Sequence, residues 1–196
     1  MSYNFFAYLS RMRYIGRWSL MRNALPENIQ EHSHEVAVLA HALGLIRREV
    51  FGVPCDPEEY AAVALYHDCS EILTGDLPTP IKYHSPEIIA AYRSVEDLAC
   101  EKLLATLPDE LREAFRPMLS GETAERCRDL VKAADKLSAY IKCIAERRAG
   151  NDDFLSAERQ TRKLLEEMHL PEVDYFLQHF IPAFELTLDE LGTIGD

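Results

Sequence analysis

The chain has 196 residues, with 33 acidic against 21 basic side chains and a net charge of −12 when histidines are neutral. That balance excludes a basic nucleic-acid coat, and 47% hydrophobic residues with few glycines and prolines exclude a collagenous or disordered chain. A single soluble domain over 1–196 is expected, because this length can bury a sizeable core.

Met1 to Pro26 carry four arginines (Arg11, Arg13, Arg17, Arg22) and no acid. An Arg-rich start can be a transit peptide, but Phe5, Phe6, Tyr8, Leu9, Ile15 and Trp18 read as a packed segment that offers a local positive patch to an anion. Helices are predicted over Phe5 to Met12 and Ile29 to Val50. Asp56, Pro57 and two early glutamates then open a helix through AAVALYHDCSEIL that Gly75 stops.

Leu77 to Pro80 follows as a proline-punctuated loop. Ser85-Pro86-Glu87 opens a helix towards Leu107, and further helices are expected over Asp109 to Leu119, Glu125 to Arg148 with Gly150 as stop, Asp153 to His169, and Glu172 to Leu188. No stretch alternates apolar and polar residues between turns, so the fold class is all-α, a compact helical bundle. No apolar run approaches the roughly 20 residues that span a bilayer. Five cysteines without a C-x-x-C pair predict reduced thiols of a cytoplasmic protein, with no disulfide and no thiolate zinc site.

Two helices carry polar residues where apolar ones belong. After Asp56, Asp68 falls in the stripe of Ala61, Leu65 and Ile72; His67 and Glu71 lie about 40° apart, and the three span an arc of about 100°. His32 falls within the stripe of Ile29, Val36, Leu39, Leu43 and Ile46, whereas His34 and His41 lie on the opposite face. A buried carboxylate without a partner costs several kcal/mol. Two inward imidazoles and an acid therefore suggest a divalent cation, with zinc, manganese, iron and cobalt all suited to a nitrogen and oxygen shell. The bland alternatives are a hydrogen-bonded core histidine for His32, a solvent-facing helix acid for Glu71 and a turn or cap carboxylate for Asp76.

His32, then His67-Asp68, then Asp135 resembles the H…HD…D signature of HD-domain phosphohydrolases. The surrounding text IGRWSLMRN, ENIQEHS, LYHDCSEILTGDLPTPIKY and VKAADKLSAYIKC is similar to bacterial 5′-deoxynucleotidases of the YfbR type over nearly the whole chain. The resemblance implies an HD-type helical fold, a homodimer, and one divalent ion (Co, Mn, Zn, Fe or Cu) held by His32, His67, Asp68 and Asp135. It implies hydrolysis of deoxyribonucleoside 5′-monophosphates to deoxyribonucleoside and phosphate, selective against ribonucleotides and broad in base. Asp135 lies about 140° from the centre of its own apolar stripe. Its role as a ligand comes from the resemblance, not from periodicity.

The same resemblance assigns Glu71 and Asp76 to acid and base work, in either order, and Arg17 to orienting the phosphate. Trp18 would select the sugar, and the loop of Asp76, Leu77, Pro78 and Thr79 would close the nucleotide site around His32, Asp68 and Asp135. Lys82 is a possible helper. Two other functions compete: an HD-domain hydrolase of nucleoside triphosphates or signalling nucleotides, which needs more cationic side chains than the motifs supply, and a non-catalytic module that keeps a metal for stability.

Overall fold

The computed structural model describes residues 2–82 and 84–192, the side chain of Thr79 excepted. Helix α1 (Phe5–Leu9) runs into a 3-10 turn at Ser10–Tyr14, and an irregular segment leads to α2 (Ile29–Leu45). Asn28 caps α2 in a reciprocal capping box with Glu31, and the helix continues as a π turn at Ile46–Val50. Helix α3 (Pro57–Tyr66) starts as the sequence predicts, with the Asp56 carboxylate accepting from the N–H groups of Glu58 and Glu59.

Short helices α4 (Glu71–Thr74) and α5 (Thr79–Lys82) precede α6 (Pro86–Leu104), which Ser85 caps through the Ile88 N–H. Next come α7 (Asp109–Leu119), α8 (Glu122–Arg126), α9 (Arg128–Arg148), α10 (Leu155–Glu167) and α11 (Pro171–His179). The all-α expectation holds: among the described residues there is no strand, only an isolated antiparallel bridge between Gly16 and Asn28. No described helix is long and apolar enough to cross a membrane. All five cysteines are free thiols, four of them buried.

The main core lies between α2, α3 and α9, whose Val36, Leu39, Leu43, Val63, Leu130, Leu137 and Ile144 are buried together with Leu165 of α10 and Phe176 of α11. Gly44 permits the close crossing of α2 and α3, since a Cβ there would stand 3.0 Å from Pro57 Cα and 3.1 Å from the Tyr60 ring. A second core joins Phe5, Cys69, Cys100, Leu103, Leu104 and Leu107. The site described below lies where α2, α3 and α9 meet.

Several predicted elements are corrected. The helix expected to run from Asp56 to Gly75 breaks after Tyr66: Cys69 N bonds Tyr66 O and Glu71 N bonds Asp68 O, both at 3.0 Å, so the chain tightens to three-residue spacing between α3 and α4. Within α3 the buried face is that of Pro57, Tyr60, Val63 and Ala64, so Leu65, expected inside, is 43% exposed. The 77–80 loop is shorter than expected because α5 begins at Thr79. The C-terminal helix stops at His179 and yields to a 3-10 turn at Ile181–Glu185, where Pro182 has no N–H to donate. The helix expected from Glu125 is split at Cys127 into α8 and α9.

Candidate metal centre

His32 belongs to the second turn of α2 and is 1% exposed, in the stripe where periodicity places it. Its Nδ1 lies 3.0 Å from Ser138 Oγ of α9, and that hydroxyl donates to Glu35 Oε2 at 2.6 Å. Since the serine proton is committed to the carboxylate, Ser138 accepts from His32 Nδ1–H, which leaves the ring's lone pair on Nε2. His67 reaches the same state by another route. Its Nδ1 lies 2.7 Å from Ala64 O, and a carbonyl can only accept, so the His67 lone pair is also on Nε2.

Both Nε2 atoms are buried and have no hydrogen-bond partner. Each faces oxygen: His32 Nε2 lies 3.2 Å from Asp135 Oδ1 and 3.5 Å from Asp68 Oδ2, and His67 Nε2 lies 3.2 Å from Asp68 Oδ2. A lone pair set against a carboxylate oxygen is repulsive unless a proton or a cation lies between them. The electrostatics say the same. Burial opposes charge on His67, yet Asp68 and Asp135 outweigh it and hold the imidazole above its ordinary pKa. Burial likewise opposes charge on Asp68 and Asp135, but His67 for the former and Lys136 and His32 for the latter keep both below the usual carboxylate range.

One ligand atom from each of His32, His67 and Asp135 lies within 4.8 Å of the other two. Nitrogen donors with open lone pairs and ionised carboxylates fit a divalent cation of the zinc, manganese, iron or cobalt type. Asp68 is adjacent through both imidazoles, although the set that closes within this distance does not include it. Its Oδ2 also accepts from Arg17 Nη1 at 3.4 Å. Asp135, placed off its apolar stripe by periodicity, sits at the junction because α9 presents a second buried flank there, with Ser138 and Ala139 as well as Leu137 enclosed.

The remaining predicted site residues gather with different degrees of closeness. Glu71, whose bland reading was a solvent-facing acid, is only 5% exposed, and its Oε2 is buried without a partner. Burial, then the charges of Asp68 and Asp76, push its carboxyl up to about 9. Asp76 is half-buried and also raised, by burial first, against the opposing pull of Arg17. Arg17 is the one arginine of the N-terminal four that turns inward; Arg11, Arg13 and Arg22 are exposed. Burial opposes its charge, but Asp135, Asp68 and Glu27 keep it fully ionised.

Trp18 packs its ring against Phe154 at 5.3 Å and donates from Nε1 to Glu27 Oε2 at 2.8 Å. Leu77 and Pro78 are half-buried, and the Thr79 side chain lies outside the described residues. Lys82 is committed to Glu96 at 2.8 Å and to the Tyr92 ring at 4.7 Å. His34 is exposed and His41 partly so, as their face of α2 requires. Sequence reasoning missed Glu27, Glu35 and Ser138, which touch the predicted residues without belonging to the histidine and aspartate pattern.

The model of the 5′-deoxynucleotidase YfbR-like family matches residues 4–184. The chain belongs to this family. A 5′-deoxynucleotidase of Vibrio parahaemolyticus is 50% identical over 190 residues, covering 96% of this chain and 98% of its own. A 5′-deoxynucleotidase of Cronobacter sakazakii is 49% identical, with 96% of each chain covered. Among solved structures, an HD-domain phosphohydrolase from Listeria innocua superposes with a TM-score of 0.76 at 23% identity, over 92% of this chain and 88% of that one. The HD phosphohydrolase DatZ of cyanophage S-2L, solved with dA and one catalytic Zn2+ ion, gives a TM-score of 0.64 at 22% identity, over 92% and 96%. These structural neighbours establish the HD-type fold that the YfbR-like match implies.

Proposed function

We propose that this YfbR-like protein is a metal-dependent 5′-deoxynucleotidase that hydrolyses deoxyribonucleoside 5′-monophosphates to deoxyribonucleoside and phosphate, selective against ribonucleotides and tolerant of base. The observation that carries the reading is the pair of buried Nε2 atoms of His32 and His67, both without a hydrogen-bond partner and both facing carboxylates. The activity of its half-identical relatives points the same way.

His32, His67, Asp68 and Asp135 would hold one divalent ion, be it Co, Mn, Zn, Fe or Cu, and such an ion lowers the pKa of water and neutralises phosphoryl charge. Arg17 offers the phosphate a planar, permanently charged donor in a protein that is otherwise strongly negative. Glu71 and Asp76 divide the proton transfers: one takes the proton of the attacking water, the other supplies one to the departing 5′ oxygen. Their raised pKa values support this, since each can exchange a proton nearer neutral pH than an ordinary carboxylate. Trp18 lies against the sugar, and Leu77, Pro78 and Thr79 flank the nucleoside.

Arg17 is already shared between Glu27 and Asp68, and Lys82 is held by Glu96, which disfavours a substrate carrying a triphosphate. A homodimer and a cytoplasmic location complete the reading. The deciding assay measures phosphate released from paired deoxyribo- and ribonucleoside mono- and triphosphates. Release from deoxyribonucleoside monophosphates that chelation abolishes and added metal restores is expected. Hydrolysis of triphosphates alone would transfer the site to the competing hydrolase class, and metal binding without phosphate release would make the protein a binding module.

A further inference from the structure

Between Tyr14 and the start of α2 the chain has no regular helix, so helical periodicity does not aim the side chains of Arg17 and Trp18. One carboxylate oxygen meets both of them. Glu27 Oε2 accepts from Arg17 Nε at 3.2 Å and from Trp18 Nε1 at 2.8 Å, while Arg17 N donates to the Glu27 carbonyl at 3.0 Å. The clamp is itself built onto α2. Gly16 bridges to Asn28, the residue that caps the helix, and Ile29 N donates to Ile15 O at 3.0 Å. Glu27 therefore takes its position from the helix that carries His32, and its Oε1 lies 4.0 Å from His32 Nδ1.

Two features of the segment accompany this anchor. Trp18 adopts φ +59°, a left-handed backbone that bulky residues rarely take unless their surroundings impose it. The guanidinium of Arg17 is planar, so holding Nε fixes the directions of both Nη groups. With Nε on Glu27, the arginine meets Asp68 only through Nη1 at 3.4 Å and not through a two-pronged fork that would consume the carboxylate. The Nη edge of Arg17 is thereby turned towards the histidine and aspartate cluster.

We propose that Glu27 is a positioning residue: one carboxylate oxygen orients the Arg17 guanidinium for the phosphate and the Trp18 indole for the deoxyribose, so that phosphate binding and sugar selection share a single anchor. The proposal rests on the roles given above to Arg17 and Trp18. Its signature is that removing Glu27 weakens both properties in one variant.

Trp18 is the only tryptophan in the chain, so its fluorescence reports the anchor without any substrate. Glu27→Ala and Glu27→Gln are compared with wild type for Trp18 emission and acrylamide quenching, melting temperature, and kcat and KM on deoxyribo- and ribonucleoside monophosphates at saturating Co2+. In the alanine variant the emission shifts and quenching rises. Its KM increases by about tenfold to a hundredfold, the worth of a charge-assisted hydrogen bond, while kcat changes less and the preference for deoxyribose falls. Glutamine keeps an acceptor without the charge, so Glu27→Gln retains near-normal fluorescence and melting with an intermediate KM.

Unchanged fluorescence in both variants overturns the proposal. So does a loss of kcat that tracks the melting temperature while KM and the sugar preference stay as in wild type. If the wild-type protein releases no phosphate, the reading of Arg17 and Trp18 fails, and the fluorescence arm by itself decides whether Glu27 anchors the two side chains.

Discussion

The two halves of the site are built by different physics. His32, His67 and Asp135 stand on or beside α2, α3 and α9, whose packing around Leu43, Leu130 and Leu137 sets where those side chains emerge. Arg17 and Trp18 stand on an irregular segment held by polar contacts. Besides the Glu27 clamp, Glu146 accepts from Ala24 N and Leu25 N at 2.9 Å each and from Asn151 Nδ2 at 2.7 Å, while pairing with Lys142. The packed half tolerates little displacement because its backbone is fixed by a close-packed core. The polar half depends on a few buried charges, each with large consequences if left unpartnered.

Four substitutions test this contrast. His32→Ala, on the packed half, should abolish metal-dependent phosphate release and lower metal affinity by more than about a hundredfold, since a ligand outweighs its supporting shell; calorimetry with Co2+ reads the affinity directly, and retained binding would remove His32 from the ligand set. Asp76→Ala, between the halves, should leave metal bound while cutting kcat by about a hundredfold or more, the scale of one lost acid or base. Unchanged turnover would reject its proton-transfer role.

Ser138→Ala should weaken metal affinity by about tenfold to a hundredfold, because His32 loses the partner that holds its proton on Nδ1. A melting temperature near that of wild type would show that the loss is one of orientation. On the polar half, Glu146→Gln should destabilise the fold by about 3–5 kcal/mol by removing the counter-charge of the buried Lys142, with smaller effects on activity at temperatures where the variant stays folded. Denaturant melts measure this, and a loss below about 0.5 kcal/mol would remove Glu146 as an anchor of the 22–25 backbone.

The Glu146 pair also gives the pH dependence a sign. Burial opposes its charge, but Lys142, Asn151 and two backbone N–H groups hold the folded carboxyl down at about 2, below its ordinary value of 4.5. The stabilisation is thus complete above pH 4.5 and declines as pH falls towards 2. Glu146→Gln should flatten that part of the wild-type stability curve.

Much of the packed half was legible in the sequence because helical spacing exposes a misplaced polar residue. His32 interrupts a clean stripe, and burial follows from position alone. Asp68 and Glu71 were placed by a helix that does not exist: α3 ends at Tyr66, and the tight turns of 67–70 carry His67 and Asp68 towards His32 and Asp135. Asp135 was misplaced by periodicity because α9 is buried on more than one flank, so a single stripe does not define its interior. The polar half was hardly legible. Glu27 stands in the quoted segment ENIQEHS, yet nothing in its neighbours distinguishes it from a surface acid beside a helix cap.

The sequence by itself determined an all-helical chain and the residue types around a cation, together with the starts of the long helices, because spacing and capping are local properties that neighbouring residues enforce on one another. Tertiary structure alone decided which oxygen faces which nitrogen: Ser138 and Glu35 behind His32, Glu27 beneath both Arg17 and Trp18, and Glu146 behind the loop that carries them. The Ser138 and Glu146 contacts join residues more than a hundred positions apart, whose meeting is fixed by how helices cross, and the Glu27 contacts span nine and ten residues of an irregular segment without periodicity, so no local pattern encodes either.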